Sequence, residues 1–434
     1  MFLGNLAEIR RDPLAFLSRT SAEFGAIALI RLGPYRVFLL NHPDDIEQVL
    51  VTHQHRFIKG RSLAGARRLF GNGLLTSDGA LHARQRRFVQ PVFHRARLNE
   101  YATAMTAVAA DTSAQWRDGG SVDIAAEMSA LTLAITGRIL FGEEGDAITR
   151  EIRGALDTAA GLMEPAVLPF APLMDFLPLR RVQRFRAARA TLDRAITRVI
   201  ERRRRSARDD GDVMSLLLAA RDDAGTPMPM MQVRDEIITL LLASHETTAN
   251  ALAWTWYLLA RDAGREACLH AEVDAVLAGG RPADADDIPN LPFTRMVLTE
   301  SMRLYPPAWL IARVATEDHE TRGYVLPEGS LVVISPWVVH RDATYYSNPL
   351  EFDPGRWSPE HQRHRPRYSY FPFGAGPRGC MGEAFAWMEG VLLLSIIARR
   401  WRMRLLDQTS PPAVHPALTL TPKSGIRVKL ERRL

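Results

Sequence analysis

The apolar residues of the chain repeat with two different periods, and the change of period separates sheet-forming from helix-forming segments. In the segment 25–41, the string AIALIRLGPYRVFLLN alternates β-branched and aromatic residues on both sides of Gly33-Pro34. This alternation predicts two strands joined by a turn. From about residue 80 to 305 the apolar residues instead recur at helical spacing. We therefore expect a small sheet followed by a long helical region.

The last third of the chain changes back to short apolar runs. In 308–335 and 404–432 such runs are separated by glycine and proline, which predicts further strands. Between them only 381–402 has the continuous apolar spacing of a good helix. No glycine- and serine-rich linker, repeat or low-complexity tract divides the sequence. The chain is accordingly predicted to be one domain over 1–434, mainly α with a minor β-sheet region.

Three helices within these regions have predicted bounds. The segment 233–261 is long and apolar, and 292–304 begins with a proline and ends before a pair of prolines. A third helix is predicted over 81–93. By contrast, prolines interrupt the hydrophobic stretch 162–179, which predicts either a mobile lid or an ordinary loop.

The composition is that of a globular protein in a reducing compartment. The 434 residues are 47% hydrophobic and 24% charged, which excludes disordered and fibrous classes. The formal net charge is only +6, and nearly all of the 55 basic residues are arginine. Two cysteines, Cys268 and Cys380, exclude a disulfide framework and favour a cytoplasmic location. The longest uncharged apolar runs are far shorter than the roughly 18 residues of a membrane span, so no membrane anchor is expected.

The most informative segment is the glycine-rich loop FPFGAGPRGCMGEA, which leads Cys380 into an apolar helix. The helix dipole and free backbone N–H groups at such a position favour a thiolate, the form of cysteine that binds metals. Glycines let the backbone approach a large flat partner closely. An isolated cysteine is more often a small buried residue, so the spacing of its neighbours decides between the two interpretations. Cys268 has no such loop and is interpreted as a packing residue.

The spacing Phe373-x-x-Gly376-x-Arg378-x-Cys380-x-Gly382 resembles the haem-binding loop of the cytochrome P450 family at every defining position. The resemblance implies the cytochrome P450 fold, and it implies that Cys380 is the thiolate ligand of the iron of haem b. It also implies that Phe373, Arg378 and Gly382 contact the cofactor. No second cysteine or histidine pair at metal-site spacing lies nearby, which disfavours a zinc site.

The long helix predicted over 233–261 carries the string ASHETT at its middle. The resemblance implies that Glu246 and Thr247 are the acid and alcohol that relay protons to reduced oxygen. Taken alone, an exposed glutamate beside a threonine bonded to its own helix is the commoner arrangement. A zinc-protease motif is excluded because position 249 is alanine rather than histidine. Ser244 stands where the family usually has glycine, and it either narrows the pocket or adds a hydroxyl to the relay.

Glu300, Arg303 and Arg356 resemble the structural ion-pair group of the family. Glu300 and Arg303 are three residues apart on one predicted helix, and Arg356 lies in the segment FDPGRW. Most surface pairs of this kind contribute under about 1 kcal/mol. The resemblance implies a role in folding behind the haem and no part in the chemistry.

The two propionates of a haem need cationic partners. His82 and Arg86 are four residues apart on the predicted helix 81–93 and so share one face. Together with Arg313 and Arg378 they match the propionate contacts of the family. A solvated surface role is the default for any single arginine, and the joint match favours the cofactor role.

Substrate specificity is expected in the segments that would cover the haem. By family analogy these are 57–75, 162–176, 241–247, 308–311 and 418–420, which are mostly apolar. The expected pocket residues are Phe57, Phe70, Leu74, Leu242, Ala243, Trp309, Leu310 and Leu418. Such a pocket predicts a small apolar substrate, a terpenoid, fatty acid or polyketide-like molecule. The alternative for each residue is that it only completes the core.

The resemblance implies a monooxygenase that inserts one atom of O2 into this substrate. Electrons would come from NAD(P)H through a ferredoxin and its reductase, since the chain shows no flavin or iron–sulfur module. Seven arginines are predicted to form one basic face for an acidic ferredoxin, namely Arg84, Arg87, Arg95, Arg97, Arg399, Arg400 and Arg402. The alternatives are a peroxygenase or isomerase that needs no electron donor, and a non-catalytic haem sensor. A monomer is expected.

The arginine run 202–205 raises the further alternative of nucleic-acid binding. Acidic residues surround the run at positions 201, 209 and 210, and no recognition motif is present. We therefore expect no nucleic-acid partner.

Overall fold

The computed structural model describes residues 4–162, 179–206, 210–363 and 365–433, and the elements below belong to that part of the chain. The helices are α1 (Leu6–Arg11), α2 (Pro13–Phe24), α3 (Pro43–Glu47), α4 (Ala64–Phe70), α5 (Gly79–Val89), α6 (Arg95–Ala114), α7 (Ile124–Phe141), α8 (Gly145–Leu162), α9 (Arg180–Ser206), α10 (Val213–Ala219), α11 (Met230–Arg261), α12 (Ala263–Val276), α13 (Pro292–Leu304), α14 (Pro336–Val339), α15 (Pro359–Gln362) and α16 (Glu383–Arg400). The strands are β1 (Ile27–Leu32), β2 (Tyr35–Leu40), β3 (Phe57–Ile58), β4 (Ser121–Asp123), β5 (Ile311–Ala315), β6 (His319–Thr321), β7 (Tyr324–Leu326), β8 (Leu331–Ile334), β9 (Trp401–Leu405), β10 (Val414–Pro416), β11 (Leu420–Pro422) and β12 (Arg427–Arg432). The fold is thus mainly helical with a minor sheet region, as the periodicity predicts.

The central element is α11, a helix of 32 residues and about 48 Å. It starts after Pro229, slightly earlier than predicted, and ends at Arg261 as predicted. Most side chains between 237 and 259 are buried, because other helices pack around α11, most extensively α7. The hydroxyl of Thr132 in α7 donates to the carbonyl oxygen of His245 at 3.0 Å. The middle of α11 is thereby held inside the molecule.

A five-stranded sheet runs in the order β1-β2-β8-β5-β3. β1 and β2 form the predicted hairpin, and Gly33 at its turn has a positive φ of 59°. β8 pairs with β2 in parallel and with β5 in antiparallel orientation. The short strand β3 lies in a segment with no predicted strand, and its Phe57 pairs with Ala315 of β5. The pairing places the chain after β3 beside β5, which carries Arg313.

The C-terminal strands form two small sheets. β12 pairs with β9 and β4, and β10 pairs with β11. β4 was also missed, because it lies inside the region of helical spacing. The β10–β11 hairpin is held from two sides. The N–H of Leu420 donates to the carbonyl oxygen of Pro307 at 3.0 Å. The indole N–H of Trp254 donates to the carbonyl oxygen of Leu420, also at 3.0 Å. The hairpin tip therefore lies against α11.

One stretch of the described chain, 124–159, is long and apolar enough to cross a membrane by length and composition. It comprises α7 and most of α8, and 61% of its most apolar window is buried inside the molecule. Met128, Leu131 and Ile135 of this stretch belong to the same hydrophobic core as α11. Packing between helices therefore accounts for its apolar character.

Candidate active site

An internal cavity of about 840 Å³ lies between α11, α5, β5, the loop before α16 and the β10–β11 hairpin. Its lining is mostly apolar, and its volume is within the range of about 300–1,000 Å³ typical of ligand sites. The structure brings together there nearly all residues that the sequence predicts for the site. They are His82, Arg86, Glu246, Thr247, Arg313, Phe373, Arg378, Cys380, Gly382, Phe70, Leu74, Leu242, Ala243, Trp309, Leu310 and Leu418.

Phe57 is the exception, and its predicted place in the substrate pocket is wrong. Its side chain is fully buried in the core formed by β5, β8 and their neighbours. Its ring packs edge-on against that of His319, with 5.1 Å between centroids. Because β3 pairs with β5 at Ala315, Phe57 shares the packed face of the sheet and does not line the cavity.

The cysteine loop takes its shape from a glycine and from backbone hydrogen bonds. Gly376 has a φ of 68°, and a Cβ atom there would lie 2.2 Å from the carbonyl oxygen of Leu50. Only glycine fits this position without moving the backbone. The N–H of Cys380 donates to the carbonyl oxygen of Phe373 at 2.9 Å, and Arg86 donates to the loop backbone at 3.1 Å. These contacts hold the sulfur at the cavity wall, directly before α16.

The environment of the Cys380 thiol differs from the one expected for a cysteine before a helix. Cys380 is exposed to the cavity, but the protein atoms around the cavity desolvate its thiol and raise its pKa to about 11, although the N–H of Gly382 and the guanidinium of Arg86 act in the opposite direction. The expected stabilisation of a thiolate by the helix start is therefore outweighed by desolvation. A coordinated metal ion would supply the missing positive charge, because a coordinating thiol is fully deprotonated.

The donor set fits a haem iron better than a tetrahedral metal. Within the described ranges, no group of three or more His, Cys, Asp and Glu side chains could hold a metal ion. A single sulfur donor needs a metal whose other ligands come from a cofactor, as they do in haem.

Seven basic side chains of the described residues line the cavity. Five of them form one group whose members act on one another electrostatically, namely Lys59, His82, Arg86, Arg313 and Arg378. The Nε atom of Arg313 is buried and meets no hydrogen-bond acceptor in the described part of the chain, and burial beside Arg378 lowers its pKa to about 10. Burial and the charge of Arg313 lower the pKa of Lys59 to about 7. Burial beside Lys59 lowers the pKa of His82 to about 4, so this imidazole is neutral. Buried positive charge of this density favours an anionic ligand, and the two carboxylates of a haem fit it.

Arg313→Gln is expected to weaken haem retention by about 10- to 100-fold, since a hydrogen bond from a charged group contributes about 1.5–3 kcal/mol. The measurement is the rate at which the holoprotein loses haem to excess apomyoglobin. Arg87→Gln is the matched control, because Arg87 is exposed, pairs with Asp223 and does not line the cavity. Equal rates of haem loss for the two variants would contradict a cofactor role for Arg313.

Glu246 and Thr247 lie on the cavity side of α11, at the middle of the helix. The hydroxyl of Thr247 donates to the carbonyl oxygen of Ala243 at 2.7 Å, so its oxygen can still accept a hydrogen bond. The hydroxyl of Ser244 likewise donates to the carbonyl oxygen of Leu240 in its own helix, at 2.7 Å. Ser244 lines the cavity, where its oxygen can accept a hydrogen bond. Burial raises the pKa of Glu246, and the charge of Asp157 acts in the same direction. Glu246 therefore keeps its proton to a higher pH than an exposed glutamate does.

Glu300, Arg303 and Arg356 are brought together outside the cavity. The fully buried carboxylate of Glu300 accepts from Nε and Nη2 of Arg303, both at 2.8 Å, and from Nε of Arg356 at 3.0 Å. The indole N–H of Trp357 and the backbone N–H of Asp353 add bonds of 2.8 and 3.0 Å. The group joins α13 to the segment 353–357, and none of its members lines the cavity.

The seven arginines predicted to form one basic face lie in two separate groups. Arg84 and Arg87 of α5 pair with Asp222 and Asp223 at 2.7 and 3.8 Å, close to the cavity and to the start of α6. The second group, at 399–402, lies at the opposite end of the 18-residue helix α16, about 27 Å from the cysteine loop. The prediction of one continuous face is therefore wrong, because the length of α16 separates the two groups.

The arginine run 202–205 takes part in ion pairs within the fold. Arg203 is buried and pairs with Asp212 at 2.7 Å and with Asp210 at 3.1 Å. Arg202 pairs with Glu144 at 2.7 Å. These contacts give the run a structural role at the end of α9.

Two predictions fall largely outside the described residues. They are the substrate segment 162–176 and the lid or loop over 162–179, of which residues 163–178 are not described.

Three residues at or beside the cavity were not named from the sequence, although Lys59 and Thr419 lie in the segments 57–75 and 418–420 that were predicted to cover the haem. Lys59 lies among the basic side chains of the cavity. The only feature of the sequence that sets this residue apart is that the chain has just three lysines. Thr419 lines the cavity and donates to the carboxylate of Glu246, a contact between residues 173 positions apart. Glu389 of α16 is fully buried beside Thr248 of α11, and burial raises its pKa to about 8. The last two are contacts between distant segments and left no local pattern.

Comparisons with known proteins all point in the same direction. A sequence model described as Cytochrome P450 matches residues 1–430. Cyclooctatin synthase of Streptomyces melanosporofaciens is 43% identical over 424 residues, which cover 96% of this chain and 92% of that protein. Cyclooctat-9-en-7-ol 5-monooxygenase of the same organism is 36% identical over 414 residues, which cover 94% of this chain and 89% of that protein. The solved structure of retinoic acid-bound cyanobacterial CYP120A1 matches with a TM-score of 0.89 and 25% identity, over 100% of this chain and 97% of that one.

Proposed function

Since this chain belongs to the cytochrome P450 family of haem-dependent monooxygenases, we propose that it inserts one atom of O2 into a cyclic terpenoid, with electrons delivered by a ferredoxin. The observation that carries the proposal is the apolar cavity whose walls include both the cysteine sulfur and the acid of α11. The names of the two relatives denote cyclic molecules, one of them a ring alkene with a single hydroxyl group. A molecule of that kind suits a chamber with few polar groups.

In the proposed enzyme, Cys380 would bind the iron of haem b, and Phe373 and Gly382 would contact the cofactor. The basic residues His82, Arg86, Arg313, Arg378 and Lys59 would hold its propionates. When bound, the haem iron with its thiolate ligand supplies the activation of O2.

Proton delivery in this proposal belongs to α11. The buried carboxyl of Glu246 retains its proton because desolvation disfavours the carboxylate, and it can release that proton to an acceptor in the cavity. The hydroxyl of Thr247 donates to its own helix, so its oxygen accepts a hydrogen bond from a water or substrate group nearby. The apolar walls exclude other water, which limits the loss of protons and electrons to side reactions.

The substrate would contact the apolar walls of the cavity. Phe70 and Leu74 come from α4 and the loop after it, Trp309 and Leu310 from the chain before β5, and Leu418 from the hairpin tip. The indole N–H of Trp309 donates to the carbonyl oxygen of Ala417 at 2.9 Å, which fixes this wall. Rigid walls of this kind favour a rigid substrate of matching shape, because a flexible chain loses conformational freedom on binding.

The electron donor is proposed to dock over α5. His82 and Arg86 of this helix line the cavity, whereas Arg84 and Arg87 do not line it and pair with Asp222 and Asp223. An acidic ferredoxin could exchange places with those aspartates, and a helix diameter of about 10–12 Å separates that surface from the cofactor. The two free cysteines accord with a cytoplasmic location, where such ferredoxins are reduced.

A binding experiment tests the substrate class. Cyclic terpenes and terpene alcohols are expected to shift the Soret band of the ferric holoenzyme at concentrations at least about tenfold lower than linear fatty acids of equal carbon number. The reason is that a linear chain loses conformational entropy when it binds. A loss of about 1.4 kcal/mol already weakens the binding constant tenfold. Equal or tighter binding of the linear acids would overturn the terpenoid proposal and leave the monooxygenase class intact.

A turnover experiment with the best ligand tests the electron source. Product is expected with O2, NADPH, a ferredoxin and its reductase, and at most a trace with hydrogen peroxide alone. Equal product from peroxide alone would favour the peroxygenase alternative. Product without either oxidant, isomeric with the substrate, would favour an isomerase.

A further inference from the structure

We propose that Thr419 is a positioning residue for Glu246: the hydroxyl of Thr419 holds one carboxyl oxygen of the acid in place and stabilises the carboxylate that remains after the proton is released. The inference rests on the proposed role of Glu246 as the proton donor of the cavity. It adds a residue outside α11 to that role.

The contact is made by a chain of three polar side chains. Nδ2 of Asn250 donates to Oγ1 of Thr419 at 3.0 Å, and the hydroxyl of Thr419 donates to Oε1 of Glu246. The second carboxyl oxygen, Oε2, is buried and meets no hydrogen-bond donor in the described residues. A hydroxyl carries one hydrogen, so the donation from Asn250 directs that hydrogen towards Glu246.

The segment that carries Thr419 is fixed independently of this contact. Trp309 donates to the carbonyl oxygen of Ala417 at 2.9 Å. Leu420 donates to the carbonyl oxygen of Pro307 at 3.0 Å and accepts from Trp254 at 3.0 Å. Thr419 therefore sits in a hairpin tip that is hydrogen-bonded on both sides, and the hydroxyl has little freedom to move away. A fixed donor can hold a flexible carboxyl group in one orientation.

The chemical consequence follows from which form of the carboxyl group the bond stabilises. A hydrogen bond donated by Thr419 to Oε1 favours the carboxylate, and it partly offsets the burial that raises the pKa of Glu246. With Oε1 acting as acceptor, the proton of the acid form is on Oε2, the oxygen without another partner. Oε2 is buried, so the effect that the geometry supports is at Oε1, where Thr419 stabilises the charge left on the carboxylate after the proton is released.

The other charged groups around Glu246 are few. Asp157 of α8 acts on it by like charge and raises its pKa, and Arg153 on the same helix lies close to Asp157. His245, the preceding residue of α11, is neutral because burial lowers its pKa to about 4. The hairpin contributes only the hydroxyl of Thr419. The loss of that hydroxyl should therefore have a measurable effect on the titration of Glu246.

The test is an infrared titration of the ferric holoenzyme. The band of the protonated Glu246 carboxyl is identified as the one that Glu246→Gln removes. Thr419→Val keeps the shape of the side chain and removes the hydrogen-bond donor. The titration midpoint of Glu246 is then expected to rise by about one pH unit, which corresponds to the loss of one hydrogen bond to a charged group. Thr419→Ser should restore the wild-type midpoint. Thr421→Val is the matched control, since Thr421 is in the same hairpin, donates to the backbone of His415 and does not line the cavity.

The outcomes separate this inference from the proposed function. An unchanged midpoint in Thr419→Val, or equal shifts in Thr419→Val and Thr421→Val, would overturn the role of Thr419 and leave Glu246 as the proton donor. The absence of any carboxyl band that Glu246→Gln removes would instead contradict the proposed role of Glu246 itself. The reduced carbon monoxide spectrum of each variant shows whether the haem site has folded, so loss of structure is recognised separately.

Discussion

Cys380→Ser is expected to abolish the thiolate-type absorption of the reduced carbon monoxide complex and to lower monooxygenation by more than about 100-fold. Loss of a residue that only supports a metal ligand already costs about 10–100-fold. Among the described residues, Cys380 is the only cysteine that lines the cavity. Serine keeps the size of the side chain, but its hydroxyl does not become an anionic ligand as readily as a thiol. The measurement is the absorption spectrum of the reduced carbon monoxide complex together with product formation per haem.

Cys268→Ser is the matched control for that experiment. Cys268 is the second of the two cysteines. It is exposed on α12, so its interpretation as a packing residue is wrong, and it does not line the cavity. Its replacement should leave both the spectrum and the product yield unchanged. A wild-type spectrum typical of histidine ligation, unchanged in Cys380→Ser, would show that another residue binds the iron.

The parts of the fold that were predictable depend on local pattern. α13 begins and ends where its flanking prolines predict, since proline fixes a helix start and cannot continue a helix. The β1–β2 hairpin follows from alternation around one turn, and the cysteine loop from the spacing of its glycines. In each case the residues that decide the structure lie within a few positions of each other.

The failures concern contacts between distant segments. Phe57 is in the core because a two-residue strand pairs with β5, a partner more than 250 residues away that no local pattern identifies. Thr419 reaches Glu246 across 173 positions, and only the hairpin contacts around it bring the two together. A burial pattern read from one segment cannot indicate which other segment covers it.

The divided basic face has a different cause. The sequence places Arg399, Arg400 and Arg402 at the end of the helix that follows the cysteine loop. At 1.5 Å per residue an 18-residue helix is about 27 Å long, so its two ends belong to different surfaces of the molecule. This correction was available from the sequence, because it needs only the predicted helix and its rise per residue.

Glu300→Gln is expected to lower the free energy of unfolding by about 3–5 kcal/mol, the cost of removing one partner from a buried ion pair. The two arginines that surround Glu300 are buried, Arg303 fully and Arg356 at 8% exposure. Glutamine keeps the shape of the side chain, but it carries no charge and its amide nitrogen cannot accept the bonds that both carboxylate oxygens now accept. Two desolvated cations would remain without a counter-charge between α13 and the segment 353–357.

The measurement is the urea midpoint of the holoprotein, followed by circular dichroism, with the slope of the transition checked for constancy. Glu360→Gln is the matched control, because Glu360 is exposed on the short helix α15 and its loss should change stability by less than about 0.5 kcal/mol. A loss of about 1 kcal/mol or less for Glu300→Gln, the size expected of a surface pair, would contradict a structural role for this group. The fraction of Glu300→Gln that folds should keep the thiolate spectrum, since none of the three residues lines the cavity. A changed spectrum in that folded fraction would place Glu300 in the haem site rather than in the support behind it.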